Sequence, residues 1–436
     1  MQLVALVSAS FVLAVVLRKR PVALVGFALG FRLLVPNVAS VLFTGSSSAS
    51  QVHPAAYFLL AAFVVTLFTR PRQAGRELSA HLLFYGALVF VFLAAIFSSV
   101  LQGQTAVGVL VDTFGFGILL CLMIRVAIDG SPERGRRMAH VFVGLAACQA
   151  IIAIAQWSTG RTLLWEEYMA SYYWWSPTQT RTSGTVGAWL DLATLLAVAV
   201  PLTAAIRRWW LRFSVAILLV IGIILAQGRT ALVVATVCLA ILTLTSSMNT
   251  GARLLSSGAL VVAGVYLSSS VLVEGITTRY ATDTLSGEAR AQAANFALSQ
   301  LPERVWVGSG FATNGSTRTL GLISSFENSY LMYAWDIGVV FTVVMFLALA
   351  SPLFVAGRRR LVPGSWLALA SALFLIGTFS GFQTPGPTAW VVFTAAGLSV
   401  FKGRDRAAAE RHIGLARVPR GESLGAFESV SRRSRL

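Results

Sequence analysis

"HLLFYGALVFVFLAAIFSSVL" (residues 81–101) holds no ionisable residue beyond His81. As a helix rising 1.5 Å per residue it reaches about 30 Å, the depth of a bilayer's hydrocarbon core. Apolar and polar residues do not alternate along it, so it does not fit a strand of a membrane barrel. The next block, "VGVLVDTFGFGILLCLMI" (107–124), is equally continuous apart from Asp112. Two neighbouring blocks of this kind leave an all-α membrane protein as the fold class, because helices satisfy their own backbone hydrogen bonds in lipid.

Outward from these blocks, apolar segments recur near 2–17, 21–43, 55–69, 80–101, 105–127, 138–157, 188–206, 211–226, 230–246, 254–273, 328–350, 364–381 and 386–401. The chain is therefore expected to be a polytopic integral membrane protein with about 12–13 transmembrane helices. The composition agrees: of 436 residues, 56% are hydrophobic and only 12% charged. The net charge of +17 raises the question of nucleic acid. The basic residues, however, sit in short runs between apolar blocks, the pattern of cytoplasmic loops rather than of a nucleic-acid surface, and no nucleic-acid partner is expected. Cys121, Cys148 and Cys238 fall inside apolar segments with no partner spacing, so they are read as small core residues without disulfide or metal roles.

"RKR" (18–20) follows the first apolar run rather than preceding it, which favours an uncleaved first segment with its N-terminus outside. Basic residues then alternate: "RPRQAGR" (70–76), "RVAIDGSPERGRRM" (125–138), "RRWWLR" (207–212), "GRRR" (357–360) and the tail from Lys402 form the cytoplasmic set. The stretches 44–54, 102–105, 158–187, 227–230, 274–327 and 381–387 form the external set. The domain plan is a bundle over 1–273 with an external loop at 158–187, a long external loop at 274–327 with short amphipathic helices, C-terminal transmembrane helices over 328–401, and a basic tail, 402–436, expected to be disordered and drawn to anionic lipid. Arg161, Arg181, Arg229, Arg279, Arg290, Arg304 and Arg318 all lie on the external side, where topology alone does not call for arginine.

Four external stretches stand out together: "RTSGTVGAWLDLATLLAVAVP" (181–201), "LAQGRTALVVATV" (225–237), "SGEARAQAANFALSQLPERVWVGSGF" (286–311) and "SSFENSYLMYAWDIG" (324–338). In order and spacing they resemble the O-antigen ligase and Wzy-type polymerase superfamily of bacterial envelope enzymes. Such members show an Arg–x–x–Gly–Thr element before a helix ending in Pro, a Ser–Arg-like turn, and a long loop carrying an Arg, a Gly–x–Gly–Phe-like turn and a His–Asn–x–Tyr–Leu element followed by an acidic–x–Gly. The resemblance spans about 181–340 and implies a GT-C-like, metal-independent glycosyltransferase of the cytoplasmic (inner) membrane, its active site facing outward and no cofactor required. Its partners would be a polyprenyl (undecaprenyl) pyrophosphate-linked oligosaccharide donor, a glycan acceptor and membrane lipids. One position departs from the pattern: the His of the last element is Glu327 here, and no external His replaces it. Polymerase-like members vary more at this site, so the departure favours a polymerase over a ligase.

The chemistry follows from the groups. Diphosphate is a good leaving group, so transfer needs stabilisation of phosphate charge, for which the planar guanidinium of Arg is better suited than Lys. Arg229 and Arg290 are the first candidates, followed by Arg181 and Arg304. The acceptor hydroxyl needs a base, and a partly desolvated carboxylate with a raised pKa could serve. Glu327 is the candidate, with Asn328 orienting it or binding sugar and Tyr330 in the same element. Structural roles compete in each case. Glu327 and Asn328 suit a helix N-terminus, and Arg229 could snorkel to headgroups. Arg290 could belong to an amphipathic helix, "EARAQAANFALSQL" (288–301), lying on the membrane with Ala289, Ala293, Phe296 and Ala297 on one face. "GSGF" (308–311) fits a turn better than a phosphate cradle, and Asp336 fits a structural role.

"WEEYMASYYWW" (165–175) serves either as an interfacial anchor or as a sugar-stacking surface with Glu166 and Glu167 at hydroxyls. Arg32, Asp112 and Asp191 are ionisable groups within apolar segments. Arg32 and Asp112 could pair as scaffold, and Asp191 could meet an external Arg. A flippase or secondary transporter would instead place its function at such groups, with broken helices.

Overall fold

The computed structural model describes residues 2–45, 51–104, 106–171, 175, 181–245, 251, 284–311, 322, 326–355 and 360–399. The expected crossing at 254–273, Arg279, Arg318 and the tail 402–436 lie outside these. Among the described residues the fold is all-helical, with no strand. The helices that matter below are α1 (Gln2–Leu17), α2 (Pro21–Leu34), α3 (Pro54–Thr69), α4 (Pro71–Ala80), α5 (Leu82–Leu101), α6 (Val107–Ile128), α7 (Pro132–Thr159), α8 (Trp189–Leu202), α9 (Trp209–Leu225), α10 (Arg229–Thr245), α11 (Thr284–Gln300), α12 (Ser329–Ile337), α13 (Val339–Ala350), α14 (Ser365–Ile376) and α15 (Thr388–Leu398).

Twelve of the thirteen apolar blocks coincide with these helices. By length and composition, though, among the described residues only α5, α6 and α7 can cross a membrane alone, or five spans if each of two bent pairs counts as one. The bends have local causes. α2 stops because Val35 precedes Pro36 and takes an extended conformation, and the short helical segment Asn37–Thr44 leaves at 107°. α3 and α4 meet at 104° where Arg70 precedes Pro71. Several expected cytoplasmic loops are therefore shorter than read: "RPRQAGR" folds as α4, and Arg125 is buried within α6 rather than in a loop. Cys148 also departs from its core assignment and is exposed.

The block 328–350 is interrupted at Gly338, whose φ of +99° no side-chain-bearing residue adopts readily. The break frees backbone groups, and residues 305–310 satisfy them. Ser309 N–H donates to the Trp335 carbonyl at 3.0 Å, Gly310 N–H to that of Asp336 at 2.9 Å, and Val340 N–H to that of Val305 at 3.0 Å. "GSGF" is thus a close-packed turn against a broken helix. A β-carbon at Gly308 would fall inside contact distance of the Asp336 carbonyl. Gly308→Ala is accordingly expected to cost about 1–3 kcal/mol, as overpacking does, visible as a lower unfolding midpoint in detergent.

α8 is sequestered: every residue from Asp191 to Leu202 is buried. Near it, polar groups gather around one short segment, 386–390. Arg32 pairs with Asp112 (2.9 Å), donates to the Gly386 carbonyl (2.7 Å) and lies over the Trp390 ring. Trp390 Nε1 donates to the Asp112 carbonyl at 3.1 Å, and Thr388 donates to the Asp191 carboxylate. The anticipated Arg32–Asp112 pair is present, whereas Asp191 meets Thr388 rather than an arginine. The segment fits because Gly381 and Gly386 leave room for the Asp191 carboxylate. His53 completes the cluster: its N–H donates to Asp112 and its Nδ1 accepts from Ala55 N–H. Burial, then the Arg32 guanidinium, lower the His53 imidazole well below its ordinary value.

Candidate functional site

A cavity of about 310 Å³ opens where the N-terminal ends of α8 and α10 meet residues 375–379 and the α11–α12 pair. Arg181, Arg229, Arg290 and Glu327 all line it, together with Trp189, Thr194, Gln227, Thr230, Thr378 and Phe379. Residues from five stretches of the sequence, from Arg181 to Phe379, share this one space.

Each is positioned by a local device. Arg181 begins the "RTSGT" turn, which α7 holds from beneath. Gln149 exchanges hydrogen bonds with Thr185, and Gln156 with the Gly184 backbone in both directions, all between 2.7 and 3.0 Å. Gly184 is required there twice over, by its φ of +60° and because a β-carbon would meet the Gln149 amide oxygen. Thr182 N–H donates to the Leu225 carbonyl, which draws the turn against the end of α9. Arg181 itself donates to the Ala226 carbonyl (3.3 Å) and lies over the Trp189 ring at 4.1 Å, close enough for a cation–π contact.

Arg229 is the first residue of α10. The preceding Gly228 lets the tight turn approach α8, since a β-carbon there would collide with Ala193. A cation at a helix N-terminus opposes the helix dipole, so the dipole does not favour arginine here.

Arg290 and Glu327 form an ion pair, Nε to Oε2 at 2.5 Å, with side chains 48% and 31% exposed. Their scaffold is shared. Ala293 and Ala297 of α11 are buried among Leu322, Phe326, Met332 and Trp335, and Phe296 packs against Trp335. The small-residue face expected to lie on a membrane is thus partly packed onto protein. Asn328 caps α12, its side chain accepting from Tyr330 and Leu331 N–H. That cap fixes the backbone beside Glu327, which takes a φ of +43°. The Glu327 side chain is about one-third exposed and faces the Arg290 guanidinium.

Gln227, at φ +55°, and Glu327 are two of four non-glycine residues with positive φ among the described residues, and both line the cavity. Left-handed conformations cost free energy and gather at functional sites, so this coincidence is informative.

The remaining candidates lie elsewhere. Arg304 stacks on Trp335 at 3.8 Å, donates to Ser309 and to the Gln300 carbonyl, and does not line the cavity; its contacts fasten residues 300–309 to α12. Tyr330 donates to the Leu373 carbonyl at 2.6 Å and packs on Phe346, while Asn328 serves as the cap. Asp336 is fully buried and accepts from Gln383. In the aromatic run, Trp165 donates to the Leu34 carbonyl, which anchors that part of the loop, and Glu166 and Glu167 are exposed.

Sequence reasoning did not single out Trp189, Gln227, Thr378 or Phe379. Gln227 carried a signal as the neighbour of Arg229 in a tight turn, whereas Thr378 and Phe379 reach the cavity only through the packing of α14. The chain matches no model of a known protein family, and no curated protein matches it.

Proposed function

We propose that this protein is an integral membrane glycosyltransferase that moves glycan from a polyprenyl (undecaprenyl) pyrophosphate donor to a sugar hydroxyl on the outer face of the cytoplasmic membrane, as a Wzy-type polysaccharide polymerase does. Transfer to a different envelope acceptor, as by an O-antigen ligase, is the same chemistry with another nucleophile. The single supporting observation is the convergence of Arg181, Arg229, Arg290 and Glu327 on one cavity. The arginines suit a diphosphate, whose charge grows as the bond to the sugar breaks. Glu327 suits the acceptor.

In the proposed step the acceptor O–H gives its proton to the Glu327 carboxylate as its oxygen bonds to the anomeric carbon. The bond from that carbon to the phosphate oxygen breaks, and polyprenyl diphosphate leaves with the electron pair. Arg229 and Arg290 hold the developing charge, and Arg181, braced by Trp189, borders the same space.

Glu327→Gln is expected to reduce transfer by two to four decades, the usual contribution of a general base, without raising the donor KM. The measurement is glycan lengthening from purified lipid-linked repeat units by the full-length protein in detergent. Unimpaired lengthening by Glu327→Gln would remove the base from this scheme.

A flippase or secondary transporter is the second reading. It draws on the interrupted helices at Val35–Pro36 and Gly338 and on the buried Arg32–Asp112 pair, features that line substrate paths in such proteins. Movement of the lipid-linked glycan across proteoliposomes without bond formation would favour it.

A further inference from the structure

We propose that the Arg290–Glu327 ion pair is a latch that orders the reaction, donor before acceptor. The Glu327 carboxylate occupies the Arg290 guanidinium. The donor's diphosphate takes its place, and the carboxylate, released, turns to the acceptor hydroxyl. This inference rests on the transfer reading and adds to it a coupling between the two substrates.

Three observations carry it. First, the pair is direct at 2.5 Å, so one oxygen of the carboxylate that would serve as base, Oε2, is engaged by a cation. Second, both side chains are substantially exposed and line the cavity, so water and incoming anions reach them. Exposed ion pairs are weak and yield to a ligand of higher charge, whereas a buried pair would be too costly to part. Third, the backbones on either side are held: α11 packs through Ala293 and Ala297, and Asn328 caps α12 immediately after Glu327. Opening therefore requires only side-chain rotation, with no movement of the helices.

The test is a binding cycle with inorganic pyrophosphate, read by titration calorimetry on the full-length protein in detergent. Wild type, Glu327→Gln, Arg290→Gln and the double variant are compared. Each is first checked for a single elution peak and an unchanged unfolding midpoint. Removing the competing carboxylate should tighten pyrophosphate binding roughly two- to fivefold, the range that exposed pairs support. In the Arg290→Gln background the same change should leave binding nearly unaltered, because the contact is already gone. Equal tightening in both backgrounds would show general charge repulsion and overturn the latch, as would no tightening at all. Glu327→Asp provides a second route, keeping the charge but shortening its reach. It should also tighten binding, and unchanged binding counts against the latch. Glycan lengthening with an additive cycle sinks the latch alone. A coupled cycle in a protein that never lengthens glycan leaves only the competition between carboxylate and pyrophosphate standing, and sinks the transfer reading together with the ordering built on it.

Discussion

Arg229→Ala is expected to lower the rate of glycan transfer by two to three decades, about 2.7–4 kcal/mol of transition-state stabilisation, while leaving the fold as firm as before. The two halves of this expectation have separate causes. The guanidinium lines the cavity with those of Arg181 and Arg290, where phosphate charge would develop. It also stands at the start of α10, where the helix dipole disfavours a cation and alanine is the better helix former, which offsets what its own contacts contribute to the fold. Initial rates of lengthening and thermal unfolding in detergent, measured on the same preparation, decide the matter. Arg229→Lys should recover only part of the rate, since a point charge lacks the two-pronged geometry. Full activity in Arg229→Ala would sink the cavity as a diphosphate site. Inactivity with a collapsed unfolding midpoint would make the residue scaffold.

Asp112→Ala should have the opposite profile, with large damage to stability. The carboxylate accepts from His53 N–H at 2.9 Å and pairs with Arg32, whose side chain is 2% exposed. Deleting it strands a buried cation, which typically costs about 3–5 kcal/mol. Replacing both partners together, Arg32→Met with Asp112→Leu, should recover most of that loss, because no charge is then left without its counterion. Thermal unfolding of the single and double variants provides the comparison. If Asp112→Ala unfolds like the parent, the pair has no scaffold role and becomes available to the transporter reading.

The helices were legible because apolar runs of bilayer length admit few other structures. The bends at Pro36 and Pro71 were in principle legible from the residue before each proline, but the apolar block 21–43 reads straight through Pro36, and the charged run after Arg70 reads as a loop rather than as a helix in a new direction. The Gly338 break was hidden for the same reason. Arg181, Arg229, Arg290 and Glu327 were found from charge on a side where charge was unexpected, and the cavity unites them. Arg304 stood out by the same rule but stacks on Trp335 instead, because exposure of a loop says nothing about which arginine finds a ring. Asn328 and Tyr330 sit beside Glu327 in sequence, yet one caps α12 and the other donates to the Leu373 carbonyl. Neighbours on a chain need not face the same way.

The cluster around residues 386–390 bears on how the molecule is made. Arg32 and Asp112 can pair early, but Gly386, Thr388 and Trp390, which complete their contacts and satisfy Asp191, leave the ribosome much later. The nascent first half must therefore wait with its charged groups incompletely matched until α15 arrives. Assembly closes like an arch on its final stone, and chain length at the C-terminal end sets the moment at which the earliest helices become settled.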